Sequence, residues 1–454
     1  MPRTPSMRWE ESPFGSMADR KSKTRAGWRI LAIWGDSRVE SSEQDGPAEQ
    51  IGRISMDDSV VLAPTTNISS PGKVRRVALL GSTGSIGKST LDVVAHFPDR
   101  LTITGLSAHS RGPELVEQAR QFRPRWIALT DPKAAQNIDK TQLPAGVEWV
   151  VGPEALARKV AGDDVDVVVT AIVGSAGLLS TWAALEAGKD IAVANKETLV
   201  MAGPLVMDLA QQRGARIMPV DSEHSALFQA LCSGKRSDVR KLILTGSGGP
   251  FRGKSKAELA LVTPEQALNH PTWKMGPKIT VDSATLMNKA LEVIETRWLF
   301  GVSAEKIDVV IHPESVVHSL VEFEDGSILA QASPPDMRLP IQLALLWPDR
   351  PSGPTRRLHW GSPFAWHFEP PDTENFPALR LGFEVARQGG TAGAVLNAAN
   401  EVAVGRFLQG DLAFLDIAKA TGQVLANHEY SAHPELGELT RLDGWARREV
   451  ARWK

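Results

Sequence analysis

Two carboxylates in the segment Val220-Asp221-Ser222-Glu223-His224 are the side chains best placed to do chemistry. The apolar run at 215–220 reads as a strand that delivers Asp221 and Glu223 at its carboxyl end, where open α/β sheets bind ligands. Residues two apart on an extended chain point to the same side, so the two acids are expected to converge. Converging anions repel unless they share a proton or a cation. A hard divalent metal is the simplest resolution. A bland alternative stays open here: a solvated loop, or a helix N-cap followed by a first-turn acid.

A second signal, Gly81-Ser82-Thr83-Gly84-Ser85-Ile86-Gly87, follows an apolar run at 74–80 and precedes a helical pattern through 94. Such a turn lets backbone N–H groups approach a pyrophosphate at a positive helix end. The spacing G-x-x-G-x-x-G is a variant of the dinucleotide fingerprint, and a turn used only for packing is the alternative. An NAD site places an acid about 20 residues further on. That count reaches Ser107-Ala108-His109-Ser110-Arg111, which offers hydroxyls and a cation instead. A 2′-phosphate, and therefore NADP, suits it better.

Short apolar runs at 101–106, 126–129, 165–169, 191–194 and 215–220 alternate with helical lengths, the pattern of a parallel, doubly wound sheet. After 221 the texture changes. A strand at 241–245 enters Gly246-Ser247-Gly248-Gly249-Pro250, and a helix is expected over 282–300 with Asp282 or Ser283 as N-cap. Strands at 308–311, 316–323 and 328–332 follow, the last two joined by the turn Glu324-Asp325-Gly326-Ser327. The expected fold class is α/β: a Rossmann-like doubly wound nucleotide domain (73–220), an α+β catalytic domain (221–355) with a lid at 269–277, a linker (356–377) and a C-terminal helical domain (378–454). Residues 1–72 mix both charge signs without periodicity. They are expected to be a disordered extension, or sequence upstream of a later start such as Met56, with no part in the chemistry.

A chain of 454 residues favours two or three domains, and 42% hydrophobic residues supply ample core. A net charge of -2 argues against a nucleic-acid partner, which needs a basic face. Cys232 is the only cysteine, so neither an intramolecular disulfide nor a thiolate cluster can form. No apolar run approaches the roughly 18–20 residues of a membrane span, and no secretory or transit pattern is present. The expected location is the cytoplasm, with no membrane partner.

Several further side chains have two readings. Ser247 sits in an anion nest or a plain tight turn. Asn288, Lys289 and Glu292 share a helix face, where Lys289 and Glu292 would by default be an exposed pair worth about 0.3–0.5 kcal/mol. Lys196 follows a strand end, with a surface pair to Glu197 as its alternative. His270 and Trp273 lie in a Pro/Gly-bounded loop suited to a water-excluding lid. His318 is a site residue or a satisfied core histidine.

These segments occur in order with Ala194-Asn195-Lys196-Glu197-Thr198, Asn269-His270-Pro271-Thr272-Trp273, Val281-Asp282-Ser283-Ala284-Thr285, Met287-Asn288-Lys289 and Asn397-Ala398-Ala399-Asn400-Glu401. Over residues 74–425 the chain thereby resembles the 1-deoxy-D-xylulose 5-phosphate reductoisomerase family. The resemblance implies a homodimer using NADPH and one divalent cation (Mg²⁺ or Mn²⁺). It would rearrange and reduce 1-deoxy-D-xylulose 5-phosphate to 2-C-methyl-D-erythritol 4-phosphate in non-mevalonate isoprenoid synthesis. It implies metal ligation by Asp221, Glu223 and Glu292. Substrate binding would fall to Ser222, Glu223, Ser247, His270, Ser283, Asn288, Lys289 and Glu292, with the phosphate on Ser247, Ser283, Asn288 and Lys289. Cofactor binding would fall to Thr83, Gly84, Ser85, Ile86, Gly87, Ser110, Arg111, Asn195, Glu197 and Met275. Lys196, His270, Trp273 and His318 would be catalytic. Arg111 departs from the Asn common in the family, although a guanidinium still suits a 2′-phosphate. Two rivals remain: another NADP-dependent dehydrogenase of a phosphorylated aldehyde or ketone, which needs no carboxylate triad, and a non-catalytic NADP-binding sensor.

Overall fold

In β1 (Arg75–Leu80) the last four residues are apolar and fully buried, as a central parallel strand with both faces covered demands. Each large side chain there contributes about 1.5–3 kcal/mol by leaving water, which anchors the turn that follows. The computed structural model describes residues 74–454. The extension expected at 1–72 lies outside the described residues. From β1 the chain runs through α1 (Ser85–His96), β2 (Leu101–Ala108), α2 (Gly112–Phe122), β3 (Trp126–Leu129) and α3 (Pro132–Gln136). It continues with β4 (Glu148–Val151), α4 (Pro153–Val160), β5 (Val167–Thr170), α5 (Leu178–Glu186), β6 (Asp190–Val193), α6 (Lys196–Arg213) and β7 (Ile217–Pro219). All seven strands pair in parallel in the order β4-β3-β2-β1-β5-β6-β7. The winding reverses between β1 and β5, so the ligand crevice of such a sheet opens at their carboxyl ends.

The sequence reading missed β4. It is an edge strand whose apolar run is only Trp149-Val150-Val151, and its four residues are mostly exposed or half-buried.

The second region holds α7 (Ser222–Leu231), β8 (Val239–Gly246), α8 (Lys256–Leu259), α9 (Pro264–Ala267), α10 (Pro277–Ala284) and α11 (Met287–Phe300). It continues through β9 (Ile307–Ile311), β10 (Val317–Phe323), β11 (Ile328–Ala332) and α12 (Arg338–Leu346). Its four-stranded sheet has the order β11-β10-β8-β9, with β8 and β9 parallel and the other pairs antiparallel. Helix α12 returns to the first sheet and packs on α1 and β6, with Arg75 donating to the Leu345 carbonyl at 3.0 Å. The chain ends in α13 (Ala378–Gln388), α14 (Ala392–Leu408), α15 (Phe414–Asn427) and α16 (Leu436–Arg452). These helices back the site: α14 packs on α6, and α13 on α11.

Two local expectations need correction. Glu223 does not continue an extended strand: β7 stops at Pro219, Asp221 is the N-cap of α7, and Glu223 lies in its first turn. The single helix expected over 282–300 is two helices. Leu286 takes a left-handed φ of 61° between α10 and α11, and the Thr285 hydroxyl accepts from Met287 N across the break. Asp282 is therefore no N-cap but a buried residue near the end of α10.

Candidate active site

The phosphate turn, Lys196, Asp221 and Ser247 follow the carboxyl ends of β1, β6, β7 and β8. A Cβ on Gly87 would sit 2.4 Å from the carbonyl oxygens of both Gly81 and Ser82, so only glycine lets α1 start this close to the turn. Gly84, the N-cap of α1, has no side-chain cap, which leaves the first N–H groups free for an anion. Thr83 and Gly87 are buried, while Ser85 is exposed at the helix start. Across the crevice Arg111 donates to the Thr83 carbonyl at 2.8 Å, next to exposed Ser110. A dinucleotide's phosphates fit this cradle.

The loops after β6 and β7 meet α11. Lys196, first residue of α6, is buried; its Nζ lies 2.5 Å from Asp221 Oδ2, 2.8 Å from Asn288 Oδ1 and 3.4 Å from Glu292 Oε1. Lys289 Nζ lies 2.8 Å from Glu223 Oε1 and also pairs with Glu292 Oε2. Glu292 thus joins two ammoniums, each of which reaches one acid of the Asp221/Glu223 pair. The surface pair imagined for Lys196 and Glu197 does not form, and Lys289 and Glu292 are buried rather than exposed. Ser222 donates to Glu223 Oε2 at 2.5 Å.

Three carboxylates here share two ammoniums, and their acidities record the imbalance. Burial pushes Asp221 up in spite of Lys196, and Glu292 is raised by burial and by neighbouring Glu223. Burial acts on Glu223 too, but the Lys289 ammonium overcomes it and holds that carboxyl at about 2. Three buried carboxylates against two ammoniums leave excess negative charge, and with an all-oxygen donor set this fits a hard divalent cation.

Asp221, His224 and Glu295 also offer ligand atoms within 4.8 Å of one another. His224 faces Glu295 with Nδ1 at 3.2 Å; burial lowers its pKa, but that carboxylate wins and pushes it up to about 9. Its Nε2 reaches the Glu292 carbonyl at 3.1 Å and the Thr296 hydroxyl at 2.9 Å, so it braces the turn of α11 that carries Glu292.

The glycine turn after β8 lies alongside. Gly248 and Gly249 have φ of 82° and 68°, a nest of N–H groups suited to anions. Ser247 Oγ accepts from Gly249 N at 3.2 Å. A Cβ on Gly249 would lie 2.7 Å from the Ser283 carbonyl, and one on Gly246 would lie 3.1 Å from Lys289 Cε. Ser247, Ser283 and Lys289 therefore border one space, with Asn288 beside them.

Residues 269–276 cover it. His270 Nε2 is 3.0 Å from Ser247 Oγ, while its Nδ1 accepts from Thr272 N at 3.1 Å and Trp273 N at 2.9 Å. Two donors at Nδ1 put the proton of the neutral ring on Nε2, aimed at Ser247. The Trp273 ring stands 6.3 Å from that of buried His318, whose Nε2 is 3.2 Å from the Ser333 carbonyl. His318 and Ser222 line one small cavity. Met275 is half-buried in the same loop.

Burial lowers the His270 pKa below the ordinary 6.5. The unfolded ring binds its proton more readily than the packed one, so the loop's order is complete above that pH and weakens as pH falls through it. Protonation at Nδ1 would also break both backbone contacts. The protection factors of amides 272–275, each taken against the intrinsic exchange rate at the same pH, are expected to fall below pH 6.5, and His270→Asn should flatten that dependence. Protection factors that do not change with pH in the unsubstituted protein would refute it.

The sequence reading gave no site role to Lys278, His224, Glu295 or Asn400, and read Asp282 only as a candidate N-cap. Lys278 bridges Glu197 and Asp282 at 2.9 Å each, and Asn400 donates to Asp282 at 2.8 Å. Asn195 donates to Glu197 at 2.8 Å and to the Ile172 and Gly174 carbonyls of the loop after β5 at 2.6 and 3.0 Å. The four-residue spacing of Lys278 and Asp282 was the available signal, hidden by reading Asp282 as a cap.

Comparison with known proteins covers nearly all of the described chain. Family models described as 1-deoxy-D-xylulose 5-phosphate reductoisomerase, its C-terminal domain, and DXP reductoisomerase C-terminal domain match residues 77–203, 217–300 and 332–449. A 1-deoxy-D-xylulose 5-phosphate reductoisomerase of Heliobacterium modesticaldum is 51% identical over 377 residues, covering 83% of this chain and 96% of that protein. One from Rhodopirellula baltica is 46% identical, covering 89% of this chain and 99% of its own. The solved reductoisomerase of Zymomonas mobilis with NADPH superposes with a TM-score of 0.78 at 42% identity, over 84% of this chain and 98% of that one. A DOX-P reductoisomerase with NADPH, fosmidomycin and magnesium gives 0.79 at 39% identity, over 83% and 98%.

Proposed function

The chain belongs to the 1-deoxy-D-xylulose 5-phosphate reductoisomerase family, and from that premise we propose how its residues divide the work. It converts 1-deoxy-D-xylulose 5-phosphate to 2-C-methyl-D-erythritol 4-phosphate with NADPH and a divalent cation, a reaction of non-mevalonate isoprenoid synthesis. When bound, the cation supplies Lewis acidity at the substrate's carbonyl and hydroxyl oxygens, and NADPH supplies hydride. Asp221, Glu223 and Glu292 would hold the cation. The turn of Gly81, Thr83, Gly84, Ser85, Ile86 and Gly87 would take the pyrophosphate, Ser110 and Arg111 the 2′-phosphate, and Asn195, Glu197 and Met275 the nicotinamide side. Ser222 would meet the substrate's hydroxyls.

Ser247, Ser283, Asn288 and Lys289 grip the substrate phosphate in this reading, remote from the reacting carbons, so binding energy there serves orientation. His270 presents Nε2–H to the same space, and Trp273 over His318 excludes water. Lys196 keeps its ammonium because Asp221 and Glu292 outweigh the cost of burial, which makes it a fixed positive group beside the carboxylates. The observation that carries the reading is the ion chain Asp221–Lys196–Glu292–Lys289–Glu223.

The test follows NADPH absorbance with 1-deoxy-D-xylulose 5-phosphate. Oxidation should require divalent metal, stop with EDTA and return with Mn²⁺. A flat trace with substrate and metal present would overturn the reading, and metal-independent oxidation would favour an ordinary dehydrogenase.

A homodimer in the cytoplasm completes the proposal. Among the described residues no helix is long and apolar enough to cross a membrane. Support for the dimer comes from β11, an edge strand with Ile328 and Leu329 exposed, and from exposed Trp360, Phe364 and Phe368. An unpaired apolar edge favours pairing with another copy, and sedimentation or light scattering would read the mass.

A further inference from the structure

Lys278 has no task in the chemistry above, yet it is built into the floor of the site. It is the second residue of α10, directly after the loop at residues 269–276 that carries His270 and Trp273. Its side chain turns inward, and its ammonium lies 2.9 Å from Glu197 Oε1 and 2.9 Å from Asp282 Oδ2. Each partner leads elsewhere. The other oxygen of Glu197 accepts from Asn195, which also holds the two carbonyls of the loop after β5. Asp282 precedes Ser283 and accepts from Asn400 of α14 through its other oxygen. One cation thus ties the root of the flap, the turn bearing Lys196, the Ser283 turn and the C-terminal helices.

A triad of this kind is a poor way to gain stability, since well-packed apolar residues often do as well in its place. What an ammonium between two carboxylates supplies is registry. The far part of the flap rests on Ser247 and His318 through His270 and Trp273, contacts that can form and break. The near end cannot slide while Lys278 is held from two sides.

We propose that Lys278 is a positioning residue: the fixed pivot of the flap, setting where His270 and Trp273 land relative to Lys196 and Ser283. It acts through Glu197 and Asp282. The inference rests on the reading of the site under Proposed function, and on the flap covering bound substrate.

The experiment uses the full chain with Lys278→Met, Lys278→Arg and the double variant Lys278→Met/Asp282→Asn, each beside unsubstituted enzyme. A misplacement of about 1 Å costs on the order of 10²-fold in rate, so Lys278→Met should lower kcat roughly 10- to 100-fold while KM moves less than about threefold. Amides 270–275 should stay fast-exchanging with NADPH, magnesium and fosmidomycin, where the unsubstituted enzyme becomes protected. Lys278→Arg should restore most of both. If the single Met variant does not fold, the double variant, with one fewer unpaired carboxylate, reports the same two quantities. Unsubstituted kcat and normal flap protection in folded molecules of either Met variant would overturn the proposal. No turnover by the unsubstituted enzyme would instead sink the functional reading, which the same plate shows separately.

Discussion

Glu292→Gln is expected to cost turnover about three orders of magnitude while leaving NADPH affinity unchanged. Lewis-acid assistance is worth several kcal/mol, and about 4 kcal/mol corresponds to roughly 10³ in rate. The substitution keeps the volume but removes the charge at the middle of the ion chain. Glu292 accepts from Asn288 and Lys196 on one oxygen and from Lys289 on the other. An amide in that place turns an N–H donor toward one of these donors whichever way it faces, so it also displaces a neighbour. No hydrogen bond or ion pair among the described residues joins the dinucleotide turn after β1 to Glu292. A fluorescence titration with NADPH and a rate at saturating Mn²⁺ separate the two effects. Rates like those of the unsubstituted enzyme would remove Glu292 from the ligand set.

The parts of this fold that were legible are those where a local pattern has one strong physical reason. The turn from Gly81 to Gly87 was readable because strand, glycine spacing and helix all lie within a few residues of each other. Of the two geometries open for the acids at 221 and 223, the extended chain does not form and the helix N-cap followed by a first-turn acid does. They meet Glu292 from the start of a helix, and Asp221 reaches it only through Lys196. That link spans 96 residues between Lys196 and Glu292, a separation no periodicity reports. The same holds for Lys278 and Glu197, 81 residues apart. Leu286 hid the break between α10 and α11 because a left-handed leucine has no sequence mark, being a position where glycine is the usual choice. Residues 338–346 fell inside the expected catalytic domain with no helix read there, yet α12 forms and its buried face answers to α1 and β6, which only the closed sheet decides.

Lys289→Ala should act with the opposite metal dependence, which is what makes it the sharper test of the site. Its ammonium is buried between Glu223 and Glu292 and lies under Gly246 at the phosphate nest. Truncating one member of a buried charge pair costs about 2–5 kcal/mol, which predicts a fall of roughly 10²–10³ in kcat/KM. A phosphate gripped equally in ground and transition states is uniform binding, so most of the loss should appear in KM. Metal affinity should hold or rise, because the variant frees two carboxylates from a competing cation. Without metal Glu223 loses its ion-pair partner and Glu292 keeps only Lys196, so the melting temperature should drop; added Mn²⁺ should raise it more than in the unsubstituted protein, since a ligand that binds only the folded state stabilises it more the tighter it binds. Glu292→Gln, by contrast, should blunt the response to Mn²⁺. An unchanged KM in Lys289→Ala would take the phosphate away from this lysine, and a weakened metal response would mean that it supports the carboxylates rather than competing for them.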